Sequence, residues 1–241
     1  MFDKEETQMN LPTRARWLTL ADGFSGYLAL PPAGSGPGLL LFQEIFGVNA
    51  HIRAVAEQYA LDGFVVLAPD LFWRSAPRVD LGYEGEDRQR GIGLMQGYGL
   101  ESAIADIRTS AQALRHRPEV SGRPVASIGY CMGGRMAYLA AAEAGVDAAV
   151  AYYGGGIHTM LERAAGIQCP IQFHYAGHDD HIPPEAVEAV RRSFAGKPAE
   201  VNVYPGALHG FNCWARSSYQ PAAAAKAHAR SLGFLSQALW P

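Results

Sequence analysis

Short, almost wholly apolar runs punctuate this chain, and amphipathic stretches fill the intervals between them. Leu39 to Phe42, Phe64 to Ala68, Val125 to Ile128, Ala148 to Tyr152, Ile171 to Tyr175 and Val201 to Tyr204 read as buried strands. Between them, Ile52, Val55, Ala56 and Tyr59 recur at helical spacing, as do Ile104, Ile107, Ala111 and Leu114. Asn49 is placed to cap a helix that runs through Leu61 and stops at Gly63. Further helices are predicted over Arg135 to Ala144 and Glu185 to Phe194, with an alanine-rich closing helix over Ala222 to Leu239 behind Pro221. Trp17 to Leu20 and Gly26 to Leu30 form a predicted hairpin around Asp22-Gly23. Pro69 to Gly97 has no clean period and reads as a long excursion with short helical pieces.

Strands alternating with helices predict an α/β fold, a mostly parallel central sheet with helices on both faces. Neither an internal repeat nor a dividing linker is visible. The expectation is one domain over residues 1–241, with the polar, acidic residues 1–10 a loose N-terminal extension.

Composition narrows the function. A formal charge of −3 carries no basic bias, which argues against nucleic acid or an anionic membrane as partner. No apolar segment follows residues 1–10 and no run is long enough to span a bilayer, so the expected location is cytoplasmic. Cys131, Cys169 and Cys213 are too few and too irregularly spaced for a disulfide framework.

The chemistry concentrates at Gly129-Tyr130-Cys131-Met132-Gly133, followed by Gly134, between an apolar strand and an alanine-rich helix. This is the G-x-nucleophile-x-G elbow, in which a sharp turn exposes the central side chain above the sheet. Cys131 is therefore the candidate nucleophile. A thiol at an elbow needs a base, and the base needs an orienting acid. Asp179 and Asp180 follow one predicted strand, and His209 follows the next, giving the order nucleophile, acid, histidine. The residues themselves do not decide between the two aspartates. His178 and His181 flank them, but without the spacing of a metal motif. Glu44 lies just past the strand Leu39 to Phe42, in a loop expected to give an oxyanion N–H from Ile45, with Met132 giving the other.

Together these residues resemble the dienelactone hydrolase family, cysteine hydrolases of the α/β-hydrolase class. The marks are Gln43-Glu44-Ile45-Phe46-Gly47, Ala68-Pro69-Asp70-Leu71-Phe72, the elbow, Gly177-His178-Asp179-Asp180-His181, and Tyr204-Pro205-Gly206-Ala207-Leu208-His209-Gly210-Phe211. The resemblance implies a triad of Cys131, Asp180 and His209, with Glu44 helping to generate the thiolate. It implies hydrolysis of a lactone or carboxylic ester through a cysteine acyl-enzyme, without cofactor or metal. Family members open 4-carboxymethylenebut-2-en-4-olide during the breakdown of aromatic compounds. In the best-known members two arginines and a tyrosine hold the substrate carboxylate. Arg90 matches the first arginine, Gly91 to Leu94 offers no phenol, and Cys213 stands where the second arginine falls. Arg216 is the candidate replacement, three residues later. The expected partner is a small lactone or ester, and the expected state a monomer or small homo-oligomer. A cysteine hydrolase of the same fold acting on another ester or thioester, and a non-catalytic ligand-binding member, are the alternatives.

Overall fold

The structure, a computed structural model, describes residues 14–240. The expected N-terminal extension, residues 1–10, lies outside the described residues. One eight-stranded sheet runs through the described chain in the order β1-β2-β4-β3-β5-β6-β7-β8. The hairpin of β1 (Arg14–Ala21) and β2 (Phe24–Leu30) is antiparallel and joins the sheet by antiparallel pairing of β2 with β4 (Val65–Pro69). All other pairings are parallel: β3 (Gly38–Phe42) with β4 and β5 (Val125–Tyr130), then β6 (Ala148–Tyr152), β7 (Ile171–His178) and β8 (Ala199–Leu208). Every residue of β3, β4, β5 and β6 is buried, which is why these segments read as unbroken apolar runs.

The expected α/β architecture is present. Helix α1 (Ala50–Leu61) starts where its cap was expected, with the Asn49 side chain accepting from the Ile52 N–H. Helices α3 (Leu100–Arg115), α4 (Met132–Glu143), α5 (Pro184–Ser193) and α6 (Pro221–Leu239) follow the periodic segments. The segment Pro69 to Gly97 differs from expectation, because it contains a 13-residue helix, α2 (Gly85–Gly97), instead of short pieces only. Gly91 is its one buried residue, so α2 presents no apolar stripe for periodicity to detect.

Because β3, β5, β7 and β8 are parallel, their C-terminal ends share one edge of the sheet. Glu44, Cys131, Asp179 and His209 each lie just past one of those ends. Ligand sites in open parallel sheets form at this edge.

Candidate active site

Cys131 sits between β5 and α4 with φ 56° and ψ −117°, a backbone region that a side-chain-bearing residue rarely adopts. Such a conformation costs of order 1–3 kcal/mol and persists only where the surroundings enforce it. The enforcement is visible. A Cβ on Gly129 would come within 2.0 Å of the Gly133 carbonyl oxygen, and one on Gly133 within 2.2 Å of the Phe42 oxygen. No side chain fits at either position, so the elbow can fold only as the sequence has it. The turn is tied to β6 by a Cys131 N–H donating to the Tyr152 carbonyl at 3.0 Å.

The cavity beside the thiol has a volume of about 280 Å³. Cys131 and His209 line it, as do Ile45 and Met132, whose backbone amides were expected to form the oxyanion hole. Met132 is the first residue of α4, so its N–H has no acceptor within the helix.

His209 is held from behind. Its Nδ1 lies 2.9 Å from Asp179 Oδ2, and its exposure is 9% against 1% for the aspartate side chain. The other oxygen of Asp179 accepts the backbone N–H groups of His181 and Ile182 at 2.9 and 3.2 Å. This corrects the expectation for Asp180, which is exposed and makes no hydrogen bond to His209. The two backbone N–H groups of His181 and Ile182 hold Asp179 turned toward the ring, while Asp180 is exposed. Burial opposes charge on the His209 ring. The neighbouring Cys131 sulfur and the Asp179 hydrogen bond outweigh it and carry the imidazole pKa up to about 10. The ring also packs edge-on against His181 and Tyr153, with centroids 4.9 and 5.1 Å away.

Glu44 is buried to 1% and pairs through Oε1 with Arg216 Nη1 at 2.9 Å. Among the described residues its Oε2 has no hydrogen-bond partner. Burial raises the Glu44 pKa, against the opposing charges of Arg216 and His209. The guanidinium reaches Glu44 over Gly210, where a Cβ would lie 2.4 Å from Arg216 Nη1. Arg216 also lines the cavity. Cys213, in the same loop, is buried, and burial and the nearby Glu44 push its thiol up to about 12, so it is a poor nucleophile.

Arg90 does not line the cavity, and its side chain is exposed. Arg88 lines it instead. Two positions on one helix differ by about 200° around its axis, so when Arg88 faces the thiol Arg90 faces away. Arg135, one turn past Cys131 in α4, also lines the cavity and was not anticipated. The signal available was its i+4 offset from the nucleophile.

A model of the dienelactone hydrolase family matches residues 24–239. The chain belongs to the dienelactone hydrolase family. It is a carboxylic ester hydrolase of that type. A carboxymethylenebutenolidase of a Pseudomonas species is 37% identical over 215 residues, covering 89% of this chain and 90% of that protein. A carboxymethylenebutenolidase of Pseudomonas putida is 34% identical, covering 88% and 91%. Among solved structures, a dienelactone hydrolase-like promiscuous phosphotriesterase from metagenomic libraries superposes with a TM-score of 0.84. It shares 25% identity over 94% of this chain and 99% of its own.

Proposed function

We propose that the enzyme hydrolyses a lactone or carboxylic ester through a thioester on Cys131, in the manner of carboxymethylenebutenolidases. The observation that carries this reading is the His209 imidazole, backed by Asp179 at 2.9 Å and lining the same cavity as Cys131. An imidazole so held stabilises a thiolate beside it.

The sulfur attacks the carbonyl carbon, and the backbone N–H groups of Ile45 and Met132 receive the developing oxyanion. Each such donor contributes about 3–4 kcal/mol in comparable sites. The carbon–oxygen bond then breaks, and the proton that left the thiol goes to the departing oxygen. His209 next takes a proton from water as the water attacks the thioester carbon. The carbon–sulfur bond breaks, the acid leaves, and the thiol is restored. Asp179 keeps Nδ1 occupied, so that Nε2 is the nitrogen that exchanges protons. Glu44 is a second acceptor for the thiol proton, because Oε2 has no partner and burial favours its protonated form. Arg216 holds it in place through Oε1.

The test is Cys131→Ala assayed against lactones and p-nitrophenyl esters, together with a mass spectrum of the wild-type enzyme quenched during turnover. The expected result is a loss of at least about 10³-fold in kcat and an acyl adduct on the peptide containing Cys131. Turnover retained by the alanine variant rejects the nucleophile.

A further inference from the structure

Helix α2 walls the cavity although little of the helix itself is buried. Gly91 is its one buried residue and no side chain caps its first turn, yet Arg88, Ile92 and Met95 line the cavity from it. The holds on α2 lie outside the helix. At its entry, Asn49 Nδ2 donates to the Leu81 carbonyl at 3.1 Å and to Tyr83 Oη at 3.0 Å. The Leu81 N–H donates to the Phe46 carbonyl at 3.0 Å. At its exit, Tyr98 Oη donates to Asp106 Oδ2 at 3.1 Å. Asp106 is buried in α3 and receives both Nη groups of Arg74, at 2.7 and 2.9 Å. Held at both ends, α2 rests by its middle on one residue of the site.

That residue is Ile45. A Cβ on Gly91 would come 2.7 Å from the Ile45 carbonyl oxygen and 3.3 Å from its Cγ1. A Cβ on Gly93 or Gly97 of the same helix would meet nothing within 4 Å. Alanine is the better helix former, so of these three glycines Gly91 alone has a steric reason to be one. Among the described residues neither the N–H nor the carbonyl of Ile45 makes a backbone hydrogen bond, so their directions are set by what packs on them. The two groups are joined through one Cα by two soft torsions, and a displaced carbonyl re-aims the N–H.

We propose that Gly91 is a positioning residue for the reaction: through it α2 seats on the Ile45 carbonyl and so aims the Ile45 N–H at the oxyanion. This rests on the ester-hydrolase reading above and adds to it a residue that does not itself line the cavity. The tolerance is small, because a misplacement of about 1 Å can cost about 10²-fold in rate.

The test sets Gly91→Ala beside Gly93→Ala and reads three quantities. They are kcat on p-nitrophenyl butyrate, inhibition by an alkyl trifluoromethyl ketone, and alkylation of Cys131 by iodoacetamide. The ketone carbon takes up the Cys131 sulfur and its carbonyl electron pair becomes an oxyanion, with no leaving group. Iodoacetamide forms a carbon–sulfur bond and expels iodide, and no oxyanion develops. Gly91→Ala is expected to lower kcat roughly 10- to 100-fold and to weaken the ketone by a similar factor, with alkylation unchanged. Gly93→Ala makes the same change in helix propensity and should leave all three unchanged. Equal losses in ketone inhibition and alkylation would mark a general disturbance of the thiol and overturn the proposal, as would undiminished ketone inhibition. Should Gly91→Ala fail to melt cooperatively, Tyr98→Phe decides, since it loosens the exit of α2 without crowding Ile45. The same selective loss, smaller in size, is expected of it, and its absence overturns the proposal. If the wild type cleaves no ester, the hydrolase reading fails by itself, and ketone inhibition against alkylation still decides the seat.

Discussion

Asp179 and Glu44 are withdrawn from water to the same degree, and each meets a cationic partner from the loop after β8, yet they are provided for differently. Asp179 is occupied on both oxygens, by two backbone N–H groups and by His209. Among the described residues Glu44 is occupied on one oxygen, by Arg216, and its other oxygen has no hydrogen-bond partner. A carboxylate bonded on both oxygens is a fixed strut. One left half-satisfied in a buried place has reason to take a proton. The pair teaches that burial alone does not assign a role to an acid, whereas the census of its hydrogen bonds does.

The sharpest way to break this comparison is Asp179→Asn. An asparagine in its place favours the wrong imidazole tautomer, and kcat should fall by about 10³- to 10⁴-fold. Asp180→Asn, at an exposed position, should change kcat by less than about 3-fold. The opposite ranking in steady-state kinetics would restore Asp180 to the triad. Next in size is Glu44→Gln, which keeps a hydrogen-bonding oxygen for Arg216 but cannot accept the thiol proton. Its kcat is expected to drop about 10²-fold, with slower alkylation of Cys131 at neutral pH. A variant with unchanged alkylation and turnover would reduce Glu44 to a counter-ion for Arg216.

The smallest effect concerns a second buried histidine, which makes the contrast with His209 plain. His174, in β7, bonds to Tyr204 Oη, Gln172 Oε1 and Ser231 Oγ at 2.7–3.0 Å, and no carboxylate backs it. Burial, helped by the charge of Arg230, lowers its pKa from 6.5 to about 3. The unfolded chain takes up this proton near pH 6.5, whereas the folded ring refuses it until about pH 3. Stability contributed by the neutral ring is therefore full above pH 6.5 and is lost as the pH falls toward 3. The slope is up to about 1.4 kcal/mol per pH unit. Urea midpoints measured through that window should flatten in His174→Gln relative to the wild type. An unaltered slope would show that His174 already carries its proton in the folded state.

Much of this site was legible beforehand because covalent neighbours carried the information. The elbow needs glycine at 129 and 133 for backbone to pass backbone, and such contacts leave a mark in the sequence. The cap at Asn49 is as local. The choice between Asp179 and Asp180 was not legible, since adjacent residues share every sequence-level property. Only the folded loop after β7, with the His181 and Ile182 N–H groups on Asp179, presents one of them to the ring. The same holds for Arg88 and Arg90, two positions apart on a helix whose face toward the cavity is set by its docking over Ile45, where a Cβ on Gly91 would meet the Ile45 carbonyl oxygen at 2.7 Å.

The sequence by itself determined the order of the strands and of the helices other than α2, the elbow that exposes a thiol, and the family. Those follow from periodicity and from steric demands between residues close in the chain. Tertiary structure decided which aspartate meets His209, and that Arg216 is paired to Glu44 across 172 positions. These depend on directions of side chains brought together from distant loops, and direction in space is set by packing rather than by spacing along the chain.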